Sequence, residues 1–274
     1  MSSYLCTENG EINIDGSNLI DERFDSANVK FVKKTCPNFQ KCCNKVDFVS
    51  KNSTKARESR EAFETPKKCG FRNLNGLGGT FTSLQNPTST NYAQYAEFPW
   101  MMAVLVDRAG ELAYKCGGSL IHPRVVLTTA HNSAGVDPKK LVVRGGEYDT
   151  QTEDEMVQHE EKKVARVIRH DKFVRNNLQN DIALLLLKNE FQLTPFINTI
   201  CLPPMGTSFV GKKCIASGWG SDKFGKKNIF QVFLKKIELP IVPNPTCQTF
   251  LRTTVLGEDY ELHEGLLCAG KIYF

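Results

Sequence analysis

From Phe98 onward, apolar residues recur in short runs at regular intervals. Segments 100–106, 114–121, 125–129, 141–144, 164–168 and 182–187 are rich in Val, Leu, Ile and aromatics and are bounded by Gly, Pro, Asn or Asp. Each reads as a strand, and six such strands make one small antiparallel barrel. A second series follows at 213–217, 232–239 and 265–269, so the pattern predicts an all-β double barrel whose second half is incomplete. Before Phe98 the texture differs. Residues 1–45 hold four cysteines among polar and turn residues with little apolar periodicity, so cross-links must supply much of their stability. Residues 46–90 carry Lys51, Lys55, Arg57, Arg60, Lys67, Lys68 and Arg72, then Gly76, Gly78 and Gly79. They read as an exposed linker whose basic residues are either a solvated charge run or processing sites for a trypsin-like enzyme. The expected division is 1–45, 46–90 and 91–274.

Composition narrows the class. The chain has 274 residues, 41% hydrophobic and 24% charged, which suits a soluble globular protein. A net charge of +5, spread without a long basic tract, gives no argument for nucleic acid. The longest aliphatic stretch, 182–187, is far short of the roughly 20 residues of a membrane helix, so no membrane partner is expected. Ten cysteines without paired C-x-x-C spacing read as disulfide partners in an oxidising compartment. Secretion is therefore expected, although the opening MSSYLCTENGE has no apolar core of a signal peptide. The expectation is that a start is missing. Asn52-Ser53-Thr54 is a glycosylation sequon, usable on export. No Gly-rich phosphate loop follows a strand, and no cofactor is expected.

Two positions carry candidate chemistry. His131 ends the apolar run 125–130, and Asp181 begins the run 182–187. An imidazole takes a proton near neutrality, and a carboxylate fixes its tautomer and orientation. The flanking text makes the pair specific: Phe98-Pro99-Trp100-Met101, Cys116-Gly117-Gly118-Ser119-Leu120-Ile121, Leu127-Thr128-Thr129-Ala130-His131, Asn180-Asp181-Ile182-Ala183-Leu184, Ile200-Cys201-Leu202-Pro203, Ala216-Ser217-Gly218-Trp219-Gly220 and Cys268-Ala269-Gly270. In this order residues 98–270 resemble the chymotrypsin/trypsin family of serine proteases. The resemblance implies a chymotrypsin-like double antiparallel β-barrel, with His131 at the general base and Asp181 at the residue that orients it, roles carried over by position from that family's Ser–His–Asp triad.

The nucleophile has no counterpart. The family places it in a Gly-Asp-Ser-Gly-Gly segment shortly after Cys-Ala-Gly, whereas Cys268-Ala269-Gly270 is followed by Lys271-Ile272-Tyr273-Phe274. That segment also supplies the oxyanion-hole amides. Ser119, Ser217 and Ser221 sit in motifs with structural positions in the family. Asn132 stands where the family has the cysteine partner of Cys116, and no Ile-Val-Gly-Gly activation sequence precedes Phe98.

A second resemblance lies upstream. Leu5-Cys6-Thr7-Glu8-Asn9-Gly10, Leu19-Ile20-Asp21-Glu22-Arg23-Phe24, Cys36-Pro37 and Cys42-Cys43 look like part of an arthropod clip domain, and Cys69-Gly70-Phe71-Arg72 like the linker that follows one. Stretches 145–152, 198–204 and 234–240 resemble the catalytically inactive clip-domain homologues of the prophenoloxidase-activating-factor type. This resemblance implies a non-catalytic protein of the haemolymph whose partners are other cascade proteases and prophenoloxidase. It also implies the disulfides Cys6–Cys43, Cys69–Cys201 and Cys247–Cys268, leaving Cys36, Cys42, Cys116 and Cys214 without partners. The expected product is a homologue truncated at both ends. The alternatives are a trypsin-like endopeptidase cut short before its serine, and a free-standing clip module with a degenerate remainder.

Glu147, Asp149, Glu153, Asp154, Glu155, Glu160 and Glu161 form an acidic stretch without Lys or Arg. The family binds calcium at the loop beginning with Glu147, but Met156 and Val157 fall near the place of its second glutamate. Solvation or partner docking is expected, and no metal. His122, His159, His170, His263, Trp100 and Trp219 are read as structural or surface residues.

Overall fold

The computed structural model describes residues 68–77, 91–152, 155–221 and 230–270. Cys6, Cys36, Cys42, Cys43, Asn52 and the clip-like segment lie outside the described residues. Six strands close into an antiparallel barrel: β1 (Met101–Arg108), β2 (Glu111–His122), β3 (Val125–Thr128), β4 (Leu141–Gly145), β5 (Glu160–Arg169) and β6 (Ala183–Leu187). Around the barrel their order is β1-β2-β3-β6-β5-β4. On β6 the buried positions are Ala183, Leu185 and Leu187, a period of two that turns one face inward. Met102, Val104, Leu120, Val126, Val143, Val164 and Leu185 fill the interior.

β1 is buried on both faces, so its first five residues are uniformly apolar rather than alternating. Met102 and Val104 point into the barrel, while Met101, Ala103 and Leu105 pack outward against a second cluster of Tyr95, Phe98, Tyr148, Trp219 and Leu234. Burying each such side chain contributes about 1.5–3 kcal/mol. The pairing of β2 with β3 leaves no room at Gly118, where a Cβ would stand 2.7 Å from Val126 Cγ1.

Among the described residues the second half forms a three-stranded antiparallel sheet, β7 (Lys213–Gly218), β8 (Lys235–Val242) and β9 (Cys268–Ala269). Two strands of this half depart most from expectation. Residues 232–234 do not join β8; instead they run along 148–150, with Thr150 N–H donating to Val232 O and Leu234 N–H to Tyr148 O, which buries Val232 and Leu234. The run before Cys268 is a turn closed by Leu266 N–H on His263 O. Helix α2 (Asn244–Arg252) has no counterpart in the sequence reading. It opens with Pro245 in its first turn and is tied to β9 by the disulfide Cys247–Cys268.

Candidate functional site

The site begins with strand pairing. β3 and β6 are antiparallel neighbours in the register Thr128↔Ala183, so the residues that follow β3 stand opposite those that precede β6. Thr129 remains extended, and the chain then turns through the four-residue helix α1 (Ala130–Ser133), which presents His131. Arg169, at the end of β5, donates to Ser133 Oγ at 3.0 Å and also to Ser133 O, fixing the end of that turn. On the other side Leu178 and Asn180 take left-handed backbone conformations, φ 57° and 54°, and Ile182 N–H donates to Asn180 O. Together they aim Asp181 back at the helix.

Asp181 grips His131 twice. Its Oδ1 accepts the His131 backbone N–H at 2.8 Å, and its Oδ2 lies 2.6 Å from Nδ1. A carboxylate only accepts, so Nδ1 carries the proton and Nε2 keeps its lone pair. Asp181 is well shielded, at 14% side-chain exposure, whereas His131 at 41% faces solvent. The pair is built to accept a proton at Nε2. Among the described residues no hydroxyl or thiol is hydrogen-bonded to Nε2. Ser119 lies in the β2 ladder, and Ser217 and Ser221 line a cavity of about 350 Å³ with Asn91, Gln231 and Lys235.

The cysteines are placed as follows. Cys69 is bonded to Cys201, which joins segment 68–77 to the barrel body, while Cys116 and Cys214 are free thiols. Asn132 donates through Nδ2 to Thr129 Oγ1, a local bond within the turn. Thr128 Oγ1 donates its proton to Gly117 O, so at 3.6 Å the Cys116 thiol acts as donor to that oxygen. Burial pushes the Cys116 thiol up, which keeps it protonated and a poor nucleophile.

The acidic stretch departs from expectation. Glu147, Asp149 and Glu155 are buried, not solvated. Arg144, the outward residue near the end of β4, bonds Glu147 Oε2 at 2.8 Å and also reaches Glu161. Tyr148 N–H donates to Glu147 Oε1, and Asp149 N–H to Glu155 Oε1. Burial, then the charge and hydrogen bond of Glu147, push the Glu155 carboxyl up to about 9, and burial also raises Asp149. Ligand atoms of Glu147, Glu155 and His159 all lie within 4.8 Å of one another. This set does not fit the family's calcium: one of three donors is an imidazole nitrogen, and the Arg144 guanidinium already supplies the positive charge. His122, His170 and His263 each use Nδ1 to accept a backbone N–H two residues ahead, a turn-closing role.

Sequence reasoning missed Glu97. Its side chain is fully buried and accepts from Arg72, from Lys236 Nζ and from Gln94 N–H. One carboxylate thus joins segment 68–77, the stretch before β1, and β8. The available signal was an acidic residue directly before the buried Phe98-Pro99-Trp100 run. Arg144 was likewise legible as a cation three residues before Glu147.

Comparison with known proteins agrees with this architecture. Residues 88–272 match the trypsin family, and residues 2–44 match the serine protease clip domain of the PPAF-2 type. The chain is 43% identical to "Phenoloxidase-activating factor 2" of Galleria mellonella over 74% of its own length and 68% of that protein's. It is 38% identical to "Inactive CLIP domain-containing serine protease A28" of Anopheles gambiae over 84% of its length and 60% of the relative's. With "Inactive CLIP domain-containing serine protease A3" of Aedes aegypti it shares 33% identity, covering 93% of this chain and 51% of that one.

Proposed function

Since the chain belongs to the trypsin family of serine proteases, with a clip domain at its N-terminus, we propose that it is a non-catalytic homologue that acts by binding within an insect protease cascade. The observation that carries this reading is the His131–Asp181 pair, formed with its 2.6 Å bond, whose Nε2 has no hydroxyl or thiol to deprotonate among the described residues. A general base without a nucleophile leaves only water to activate, and the electrostatic stabilisation of a tetrahedral intermediate needs donors at the same place. The names of the relatives support the reading, since A28 and A3 are called inactive and the Galleria protein a phenoloxidase-activating factor. The role is that of a secreted cofactor in prophenoloxidase activation, with other cascade proteases and prophenoloxidase as partners. The clip segment 1–45, the linker 46–90 and the body 91–274 serve as its functional parts.

The second reading, a trypsin-like endopeptidase, is favoured by the intact geometry of the base and its orienting acid. The two separate in a reconstituted assay of prophenoloxidase with an active upstream protease. Adding the purified chain raises phenoloxidase activity, and His131→Ala raises it equally. Loss of the effect in His131→Ala would contradict the binding reading.

A further inference from the structure

A cavity of about 560 Å³ opens between the β1–β2 turn and the segment that follows α1. Its floor is apolar: Val106 and Val136 are half-buried and pack against the barrel interior, and Ala109 adds a methyl group from the turn. Two cations and two carboxylates line the cavity, and further cations stand beside it. Arg108 and Lys140 line it, and Lys139 stands beside Lys140 on the single 3-10 turn Pro138–Lys140. That turn packs against β5, which carries the exposed Arg166. None of these four cations is ion-paired among the described residues. The two wall carboxylates are engaged locally, Asp107 Oδ1 by Gly110 N–H and Asp137 Oδ1 by Lys139 N–H.

We infer that this cavity is a docking site for an acidic protein segment bearing one apolar anchor side chain, which goes beyond the binding role proposed above by giving the partner's chemistry. The anchor enters the Val106–Val136 floor, where desolvation supplies affinity, and the segment's carboxylates meet Arg108 and Lys140 at the rim, with Lys139 on the adjoining turn and Arg166 on the neighbouring strand, which sets orientation and on-rate. A uniform polyanion fits less well. Asp107 and Asp137 would face it across the mouth, whereas a peptide backbone offers N–H donors to the second oxygen of each. The floor is held by the barrel core rather than by a loop alone, so the site is formed before any partner arrives. Because Gly135–Lys140 directly follows the helix that carries His131, an occupied cavity borders the cleft without using it.

The test measures binding of fluorescein-labelled synthetic dodecapeptides to the full chain by anisotropy at two salt concentrations. One peptide combines Glu residues with a single Phe, a second replaces Phe by Ser, and a third replaces Glu by Lys. A sulfated oligosaccharide is the polyanion control. The Glu/Phe peptide binds, and weakens with salt. Arg108→Glu with Lys140→Glu lowers its affinity about tenfold or more, as reversal of close charge pairs does. Ala109→Asp, at a left-handed position that Asp tolerates, does the same from the floor side. Lys212→Glu with Lys213→Glu, an equal charge change at the start of β7, leaves binding unchanged. Absence of binding, equal binding of the Ser peptide or the oligosaccharide, or an equal loss in the β7 control would overturn the inference.

Discussion

Lys236 on β8 closes both oxygens of the buried Glu97 carboxylate, at 3.0 and 2.8 Å, across 139 positions of sequence. Arg72 shares that carboxylate from the other side. The three residues come from parts of the chain that no local pattern connects, and they fix how segment 68–77 and β8 sit on the barrel.

Glu97→Gln should therefore destabilise the protein more than Lys236→Met. The first leaves two shielded cations facing a neutral amide, a loss of about 3 kcal/mol for a broken buried pair. The second leaves Glu97 with Arg72 and the Gln94 N–H, and loses less. Urea unfolding midpoints at constant m-value give the ordering; a larger loss in Lys236→Met would refute the network as described.

The buried carboxyls make stability depend on pH. Glu155 titrates at about 9 in the folded protein against 4.5 for a free side chain, so the folded state holds the proton more tightly. Its contribution is fully present below pH 4.5 and is lost as pH rises through about 9. Asp149, also raised, acts in the same direction. Between these limits stability falls with rising pH, and Glu155→Gln flattens the slope. A wild-type slope unaltered by Glu155→Gln, measured by thermal unfolding across that range, would contradict the assignment.

The Cys69–Cys201 bond spans 132 residues, for which the chain-entropy model gives about 5 kcal/mol. Replacing both cysteines by Ser should lower stability by up to that amount. The docked segment is still expected to hold, because Gly70 N–H bonds Thr199 O and Asn73 Nδ2 bonds Ala96 O and Pro195 O. Hydrogen exchange at Gly70 and Leu77 reads this directly: protection persists in the double Ser variant.

Gly118→Ala should cost about 1–3 kcal/mol by overpacking, since the new methyl meets Val126 Cγ1 at 2.7 Å and Leu127 O at 3.2 Å. Gly110→Asn, at φ 97° with open space around it, is expected to cost much less. Denaturation of the two variants separates steric exclusion in the barrel wall from turn geometry.

The barrel was legible because its strands are short apolar runs bounded by turn residues; on β6 the run is apolar throughout, and only its burial, at Ala183, Leu185 and Leu187, alternates. His131 and Asp181 could be singled out because each sits at the end of such a run, and register does the rest. Three things were hidden for physical reasons. Residues 232–234 have strand-like composition, but which neighbour they join is decided by the burial of Val232 and Leu234 against the 148–150 segment. Helix α2 buries only Cys247 of its nine residues, and its apolar Cys247, Phe250 and Leu251, although at helical spacing, make less than two turns of pattern, too short a run to stand out from a loop. Glu147, Asp149 and Glu155 looked solvated because the nearby cation, Arg144, stands on a strand before them and their burial comes from packing distant in sequence.

The proposed reading, in which the His131–Asp181 pair faces no hydroxyl or thiol nucleophile among the described residues, is tested most directly by exposing the purified protein to a fluorophosphonate probe while following cleavage of Arg- and Lys-directed peptide amides. The account predicts no covalent labelling and no turnover above that of the His131→Ala variant. Stoichiometric labelling that disappears in His131→Ala, accompanied by turnover, would contradict it.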